Sequence, residues 1–551
     1  MNDSIGHVIG VNGSQATCEL SEATPHTDAL TRASRIGALA RIKTTSSTVF
    51  GVVSAIHVEK HAGQRSRVAV IDLIGEKPDP AEPGGRTTFL RGVSFFPNLG
   101  DPMLVSEADD FAEVYAVPSR YNVRIGTIYQ DPAVPAYLMT DDLLAKHFLV
   151  VGSTGSGKSC SAALVLRAML DAHKNAHVIM LDPHNEYASA FGDLAEVVNI
   201  DNLELPCWLL DYEESVQVLV RGGSPQEQES QAAILKEAIV AARRKYAGDG
   251  PQAQWITVDT PVPYRVGDLI RIIDNALGKL DKADTSAPYL RLKGRLESLN
   301  SDKRFSFMFS GVFVKDNLPQ VVSRMLRIPV KGKPMTIVDL SGVPSEVVDV
   351  VVSLLCRMTF DFALWSDRTK TPPILLVAEE AHRYIPADEK AGFASTRGAI
   401  ARIAKEGRKY GVSLGLITQR PSELSPSILS QCGTLFALRM GNEADNRFVA
   451  NALPENARGM LNVLPALRRQ EAVVVGEGVT APMRIRFNDL PEEHRPRSAS
   501  AVFSKAWQED RQGQAFVEES IQRWRMQVRY TGPSSPAPEP VGGAGVKPLA
   551  I

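Results

Sequence analysis

Cysteine is scarce in this 551-residue chain. The five that occur, Cys18, Cys160, Cys207, Cys356 and Cys432, are scattered without a CxxC pair. That argues against a disulfide framework or a cysteine-based zinc site and points to a reduced, cytoplasmic setting. Long apolar runs are missing too. The longest, VVDVVVSLLC at 347–356, is interrupted by Asp349 and falls short of the ~18–20 residues that span a bilayer, so no membrane segment is expected. The opening MNDSIGHVIG does not read as a signal peptide. Neither sign of charge is in excess: 61 Lys and Arg face 63 Asp and Glu, a net charge of −2. Such a balance neither suggests nor excludes nucleic acid, because a ring can gather basic groups in a central channel. There is no internal repeat of fixed period.

What is present suits several domains, since a chain this long exceeds one hydrophobic core. Residues 1–118 alternate short apolar runs with Gly, Pro, Asp and Asn, the spacing of a small β-barrel or sandwich. Within 119–210, HFLVVG, KSCSAALVLRAML and HVIMLDP follow one another as strand, helix and strand, the signature of a parallel sheet. Residues 211–303 turn polar and helical, with Leu269, Ile270, Ile273 and Leu277 at helix spacing. The α/β pattern resumes over 304–490 in MTIVDL, ILLVAEEAH, SLGLITQ and TLFALRM. A C-terminal helical segment is expected over 491–530, with Val517, Ile521, Trp524 and Val528 as one apolar stripe, and Pro/Gly/Ser-rich 531–551 is expected to be disordered.

The strongest chemical signal is GSTGSGKS, from Gly152 to Ser159, which fits G-x-x-x-x-G-K-S/T between a strand and a helix. Gly152, Ser153, Thr154, Gly155, Ser156, Gly157, Lys158, Ser159 and Cys160 would wrap the phosphates of ATP. Backbone N–H groups and the helix N-terminus favour the anion. Lys158 would bridge the β- and γ-phosphates, and Ser159 would ligate Mg²⁺. Such a loop needs an acidic element at the end of a neighbouring strand, and ILLVAEEAH at 374–382 offers Glu379 and Glu380. Successive strand residues point to opposite sides, so the two acids are expected to take separate places: Glu379 at the Mg²⁺ hydration shell, Glu380 as general base on the water. The usual order of such a pair is Asp–Glu; Glu379 departs from it. In DPHNEYA, at 182–188, Asp182, His184 and Glu186 either shape the metal surroundings or cap a helix.

KHFLVVGSTGSGKS, LDPHNEYA, LLVAEEAHRY, IAKEGRKYGVSLGLITQRPSEL and the β-rich N-terminus together resemble the HerA-type DNA translocases, of the HerA–FtsK division of RecA-like P-loop ATPases. The resemblance spans about 1–490. It implies an α/β fold: a HAS-barrel-like N-terminus and a RecA-like core interrupted by a helical insertion. It also implies a homohexameric ring threaded by double-stranded DNA, with ATP between subunits and a separate nuclease or NAD-consuming effector acting in DNA-end processing or antiphage defence. From IAKEGRKYG it assigns Arg408, with Arg402 as second choice, to a neighbour's nucleotide. A guanidinium supplied in trans makes hydrolysis depend on assembly. Gln419, ending a strand in LITQRPSEL, would sense the γ-phosphate, while Arg420 and Ser422 equally suit subunit contacts. The segment RYIPADEKAGFASTRGAIAR, with Arg383, Lys390, Arg397 and Arg402, is a candidate channel element, and a mixed-charge surface loop is its plain alternative. A nucleotide-gated platform that switches a partner enzyme, and a conjugation or chromosome-segregation motor, are the competing functions. No nuclease or sirtuin-like second active site is legible in the chain.

Overall fold

The computed structural model describes residues 4–21, 35–61, 64–80, 82, 85, 87–251, 253–279, 283–309, 315–388, 394–452, 458–497, 503–508 and 513–526. The chain divides into two units, 1–498 and 499–551.

The first unit opens with β1 (Ser4–Asn12), β2 (Gln15–Leu20), β3 (Leu39–Lys43), β4 (Ser47–His61), β5 (Gln64–Pro78), β6 (Leu90–Arg91) and β7 (Pro102–Val105). Their order is β2-β1-β7-β3-β4-β5, and a β2–β5 pairing closes the ring, with β6 as an outer extension. Closure removes sheet edges that would otherwise recruit other strands. Ile5, Val8, Cys18, Ile42, Val49, Val53, Ile71 and Met103 fill the interior. The barrel is also tied to the rest of the unit. Buried Asp72 accepts hydrogen bonds from the Gly459 N–H at 3.1 Å and from Gln15 Nε2 at 2.9 Å, and Gln130 Nε2 donates to the Gly37 carbonyl at 2.6 Å.

The second sheet has eleven strands: β8 (Asn122–Ile128), β9 (Pro135–Met139), β10 (Phe148–Val151), β11 (Val178–Asp182), β12 (Ala195–Val198), β13 (Met335–Asp339), β14 (Ile374–Ala378), β15 (Val412–Thr418), β16 (Thr434–Ala437), β17 (Glu471–Gly476) and β18 (Met483–Phe487). Their order is β12-β13-β11-β14-β15-β10-β16-β17-β18-β8-β9. β12 through β16 in that order are parallel, and the last four are added antiparallel. Every residue of β10, β11, β13, β14, β15 and β16 is buried. Parallel strands covered on both faces read as unbroken apolar runs, and these are the runs visible in the sequence.

Three helices frame this sheet: α1 (Lys158–Ala172), α6 (Val348–Trp365) and α7 (Ala394–Tyr410). Between β12 and β13 lie α2 (Tyr212–Leu219), α3 (Pro225–Ala247), α4 (Val266–Leu277) and α5 (Ala283–Ser301). α3 starts with a capping box, in which Ser224 Oγ accepts from the Glu227 N–H while the Glu227 carboxylate accepts from the Ser224 N–H, and Pro225 follows at the first helical position. Glu214 of α2 is fully buried and accepts from Arg357 Nη2 at 2.8 Å and Ser353 Oγ at 2.8 Å, both on α6. A charge this deep is tolerated only when paired, so this contact fixes the helical segment to the sheet layer. Leu269 and Ile273 are buried as their spacing suggests, while Ile270 and Leu277 are half-buried.

In the second unit, Gln514–Met526 is a helix with Val517 and Trp524 exposed. Val528 and 531–551 lie outside the described residues. No described helix is long and apolar enough to cross a membrane.

Candidate functional site

The loop Gly152–Gly157 joins β10 to α1 at the carboxyl end of the parallel strands, where helix N-termini converge. Gly155 and Gly157 have φ of +76° and +99°, the left-handed region that residues with a Cβ avoid. A Cβ on Gly155 would meet nothing within 4 Å, so the loop opens outward there. Its base is pinned: the Ser153 N–H and Oγ both donate to the Arg439 carbonyl, at 3.0 and 2.9 Å. Thr154 Oγ1 donates to Gln419 Oε1 at 2.6 Å, so the expected γ-phosphate sensor already touches the loop. A cavity of about 480 Å³ opens beside it, lined by Ser153, Thr154, Gln419, Arg420, Ser422 and Asp445 among others.

Lys158, at the first turn of α1, is buried and faces both acids. Its Nζ is 3.7 Å from Glu379 Oε1 and 3.3 Å from Glu380 Oε1. Two expectations are corrected here. The acidic strand β14 is not adjacent to β10, because β15 lies between them; the lysine side chain spans the gap. Nor do the glutamates take separate sides. The strand ends at Ala378, and Glu380 turns into the left-handed region at φ 50°. Alternation therefore stops one residue before the pair, and both carboxylates meet one ammonium.

One positive charge between two buried negatives leaves an electrostatic deficit. Burial pushes the Glu379 carboxyl up to about 7, opposed by Lys158 and reinforced by Glu380. Tyr187, fully buried and fully protonated, donates to Glu379 Oε2 at 2.9 Å. Ser159 Oγ donates to Glu186 Oε2 at 3.0 Å, which brings DPHNEYA to the site. Asp182 turns inward as a structural acceptor for the His184 and Tyr187 N–H groups, at 3.2 and 2.9 Å, while His184 is exposed. Cys160 is half-buried on α1, its thiol raised by burial.

The donor set fits a magnesium nucleotide. A glycine cradle and a buried lysine suit phosphate oxygens. Ser159 and Glu379 suit a hard cation that keeps water and phosphate as its remaining ligands. Among the described residues no group of three or more His, Cys, Asp or Glu could hold a metal ion.

Arg408 is elsewhere. It sits in the last turn of α7, just before β15 begins, at the opposite end of the sheet from the loop. It is exposed and, among the described residues, has no ion-pair partner. Arg402 is engaged within its own chain, stacked 4.3 Å over the Phe360 ring with Nη1 3.4 Å from Asp361. Arg383 is exposed, Arg397 half-buried, and Lys390 lies outside the described residues. Arg420 pairs with Glu423 at 2.7 Å and Ser422 with Asp445 at 2.6 Å. Tyr187 and His382 are the site residues that sequence reasoning passed over. Both lie in or beside a motif that points to the site, and that proximity was the available signal.

A family model described as the helicase HerA central domain matches residues 123–359. The DNA double-strand break repair helicase HerA of Pyrococcus furiosus is 25% identical over 67% of this chain and 70% of its own length. The probable DNA double-strand break repair helicase HerA of Methanocaldococcus jannaschii is 27% identical over 80% and 88%. The chain is a P-loop ATPase similar to the HerA helicases. The HerA relatives extend the likeness well beyond the matched central domain. The solved VirB4 of Thermoanaerobacter pseudethanolicus aligns over 69% of this chain and 100% of its own at 18% identity, with a TM-score of 0.47.

Proposed function

We propose that this P-loop ATPase is an ATP-driven, homohexameric double-stranded DNA translocase or helicase. It would act with a separate nuclease or NAD-consuming effector, in DNA-end processing or antiphage defence. The carrying observation is the convergence of Lys158, Glu379 and Glu380 at the glycine loop. In this reading Lys158 neutralises the β- and γ-phosphates, and Ser159 and Glu379 hold Mg²⁺, which supplies charge stabilisation when bound. Glu380 accepts the proton of the attacking water, and Gln419 reads the γ-phosphate beside Thr154. Arg408 serves the site of the next subunit. The barrel (1–118), core (119–210 and 304–490), helical insertion (211–303) and C-terminal brace (491–530) are the working parts. The HerA names of the relatives support the DNA reading.

The test is displacement of a roadblock from duplex DNA by the purified chain with ATP and Mg²⁺. Displacement that Lys158→Ala abolishes supports the proposal. Brisk ATP hydrolysis without displacement, coupled to activation of a partner enzyme, would favour the platform reading instead.

A further inference from the structure

The second oxygen of Glu380 poses a local problem. Oε1 faces Lys158, but Oε2 is buried with no hydrogen-bond partner. The group nearest to satisfying it is the His382 ring, whose Nδ1 lies 3.2 Å away. The same Nδ1 is 3.0 Å from Thr418 Oγ1. Burial holds the His382 ring below the usual imidazole range, against the opposing pull of Glu380 and Glu423, so the ring carries one proton near neutrality. That proton belongs on Nδ1, because a bare Nδ1 would set its lone pair against a carboxylate oxygen. One N–H thus faces two acceptors.

The competing acceptor is well placed to carry information. Thr418 is the last residue of β15, and the Oε1 of the next residue, Gln419, accepts a hydrogen bond from the Thr154 hydroxyl of the glycine loop at 2.6 Å. A continuous chain of contacts runs from the loop through Gln419, Thr418 and His382 to Glu380.

Resting on the ATPase reading above, we propose that His382 is a positioning residue for Glu380: its Nδ1–H, bonded to the Thr418 hydroxyl in this structure, can pass to Glu380 Oε2 3.2 Å away. When the end of β15 draws Thr418 away, the bond passes wholly to Oε2, draws the carboxylate off Lys158 and leaves Oε1 to face the water. When Thr418 holds the bond, Glu380 stays against Lys158 and hydrolysis idles. His382 contacts Glu380 and Thr418, so its assigned part is to orient the base rather than to perform the chemistry.

Steady-state ATP hydrolysis by the full chain decides the matter, with thermal melting as the folding control. His382→Ala is expected to lower kcat on the order of 10–100-fold with KM within about twofold. His382→Asn, whose amide can donate from nearly the same place, restores most of the rate. Thr418→Val keeps the volume and removes the rival acceptor, so it raises basal kcat a few-fold. The double variant matches His382→Ala, because without the histidine the rival no longer matters. An unchanged kcat in His382→Ala, or a loss appearing in KM instead, overturns the proposal. So does an Asn variant no better than Ala, or a Thr418→Val variant that fails to gain. If His382→Ala does not fold, the Asn and Val variants decide between the two outcomes. A wild-type chain that hydrolyses no ATP would instead sink the underlying ATPase reading.

Discussion

The two ends of the parallel sheet are built on opposite terms. At the carboxyl end, Lys158, Glu379, Glu380 and Asp182 are all buried, within a web of hydrogen bonds. At the amino end, Arg408 stands exposed beside a mainly apolar cavity of about 760 Å³, which it lines with Leu144, Met169, His177, Pro373 and Ile374. Strand and helix polarity cause the difference. Helix N-termini, with their free N–H groups, gather where parallel strands end, and helix C-termini gather where they begin. An anion site belongs at the first end alone. An arginine at the second end is too far from its own loop to serve it, which is why the role proposed for Arg408 requires a second copy of the chain.

Removing Lys158 should cut deepest. Lys158→Ala is expected to lower phosphate release by more than about 100-fold, and to lower the melting temperature as well, since it strands two buried carboxylates. Retention of hydrolysis by that variant would dissolve the distinction between the ends. Arg408→Ala tests the other end: a loss of about 10³-fold is expected in the assembled protein, with nucleotide affinity little changed by equilibrium titration. Mixing it with Glu380→Gln should recover part of the rate, because a subunit with a good base then meets a subunit with a good arginine. No recovery on mixing would place Arg408 outside catalysis. Glu380→Gln alone should cost about 10²-fold in kcat while leaving nucleotide binding intact.

The smallest effect concerns His147, buried just before β10. Its Nδ1 accepts from the Leu414 N–H and its Nε2 donates to the Ala404 carbonyl, both at 3.0 Å. Burial lowers its pKa, against the Ala404 contact. The neutral ring is therefore the folded form, and its contribution to stability is present above the unfolded value of about 6.5 and lost as pH falls through the folded value. Denaturant midpoints measured from pH 7.5 down to pH 5 should decline, with a shallower decline in His147→Asn. Parallel curves for the two proteins would show that this end of the sheet does not titrate.

Much of the site was legible because it is local in the chain. GSTGSGKS carries its own glycines, lysine and helix start in eight consecutive residues, and the apolar strands announce themselves because both faces are covered. The acidic pair was legible as chemistry but misread as geometry, since alternation holds only while a strand lasts and β14 ends at Ala378. Tyr187 and His382 were not legible as partners of Glu379 and Glu380. An aromatic or a histidine near a motif has many uses, and only folding brings Tyr187 across 192 positions to Glu379.

By itself, the order of residues determined a phosphate-wrapping loop, an acidic strand end, a barrel ahead of an α/β core and a helical stretch within it. Those features follow from periodicity and backbone freedom over short spans. The tertiary structure alone decided that β15 intervenes between the loop and the acids, that one lysine answers two glutamates, and that Arg408 faces away from its own loop. Strand order and the sharing of a buried charge depend on which distant segments pack together, and burial, not spacing, sets what a charge must find as its partner.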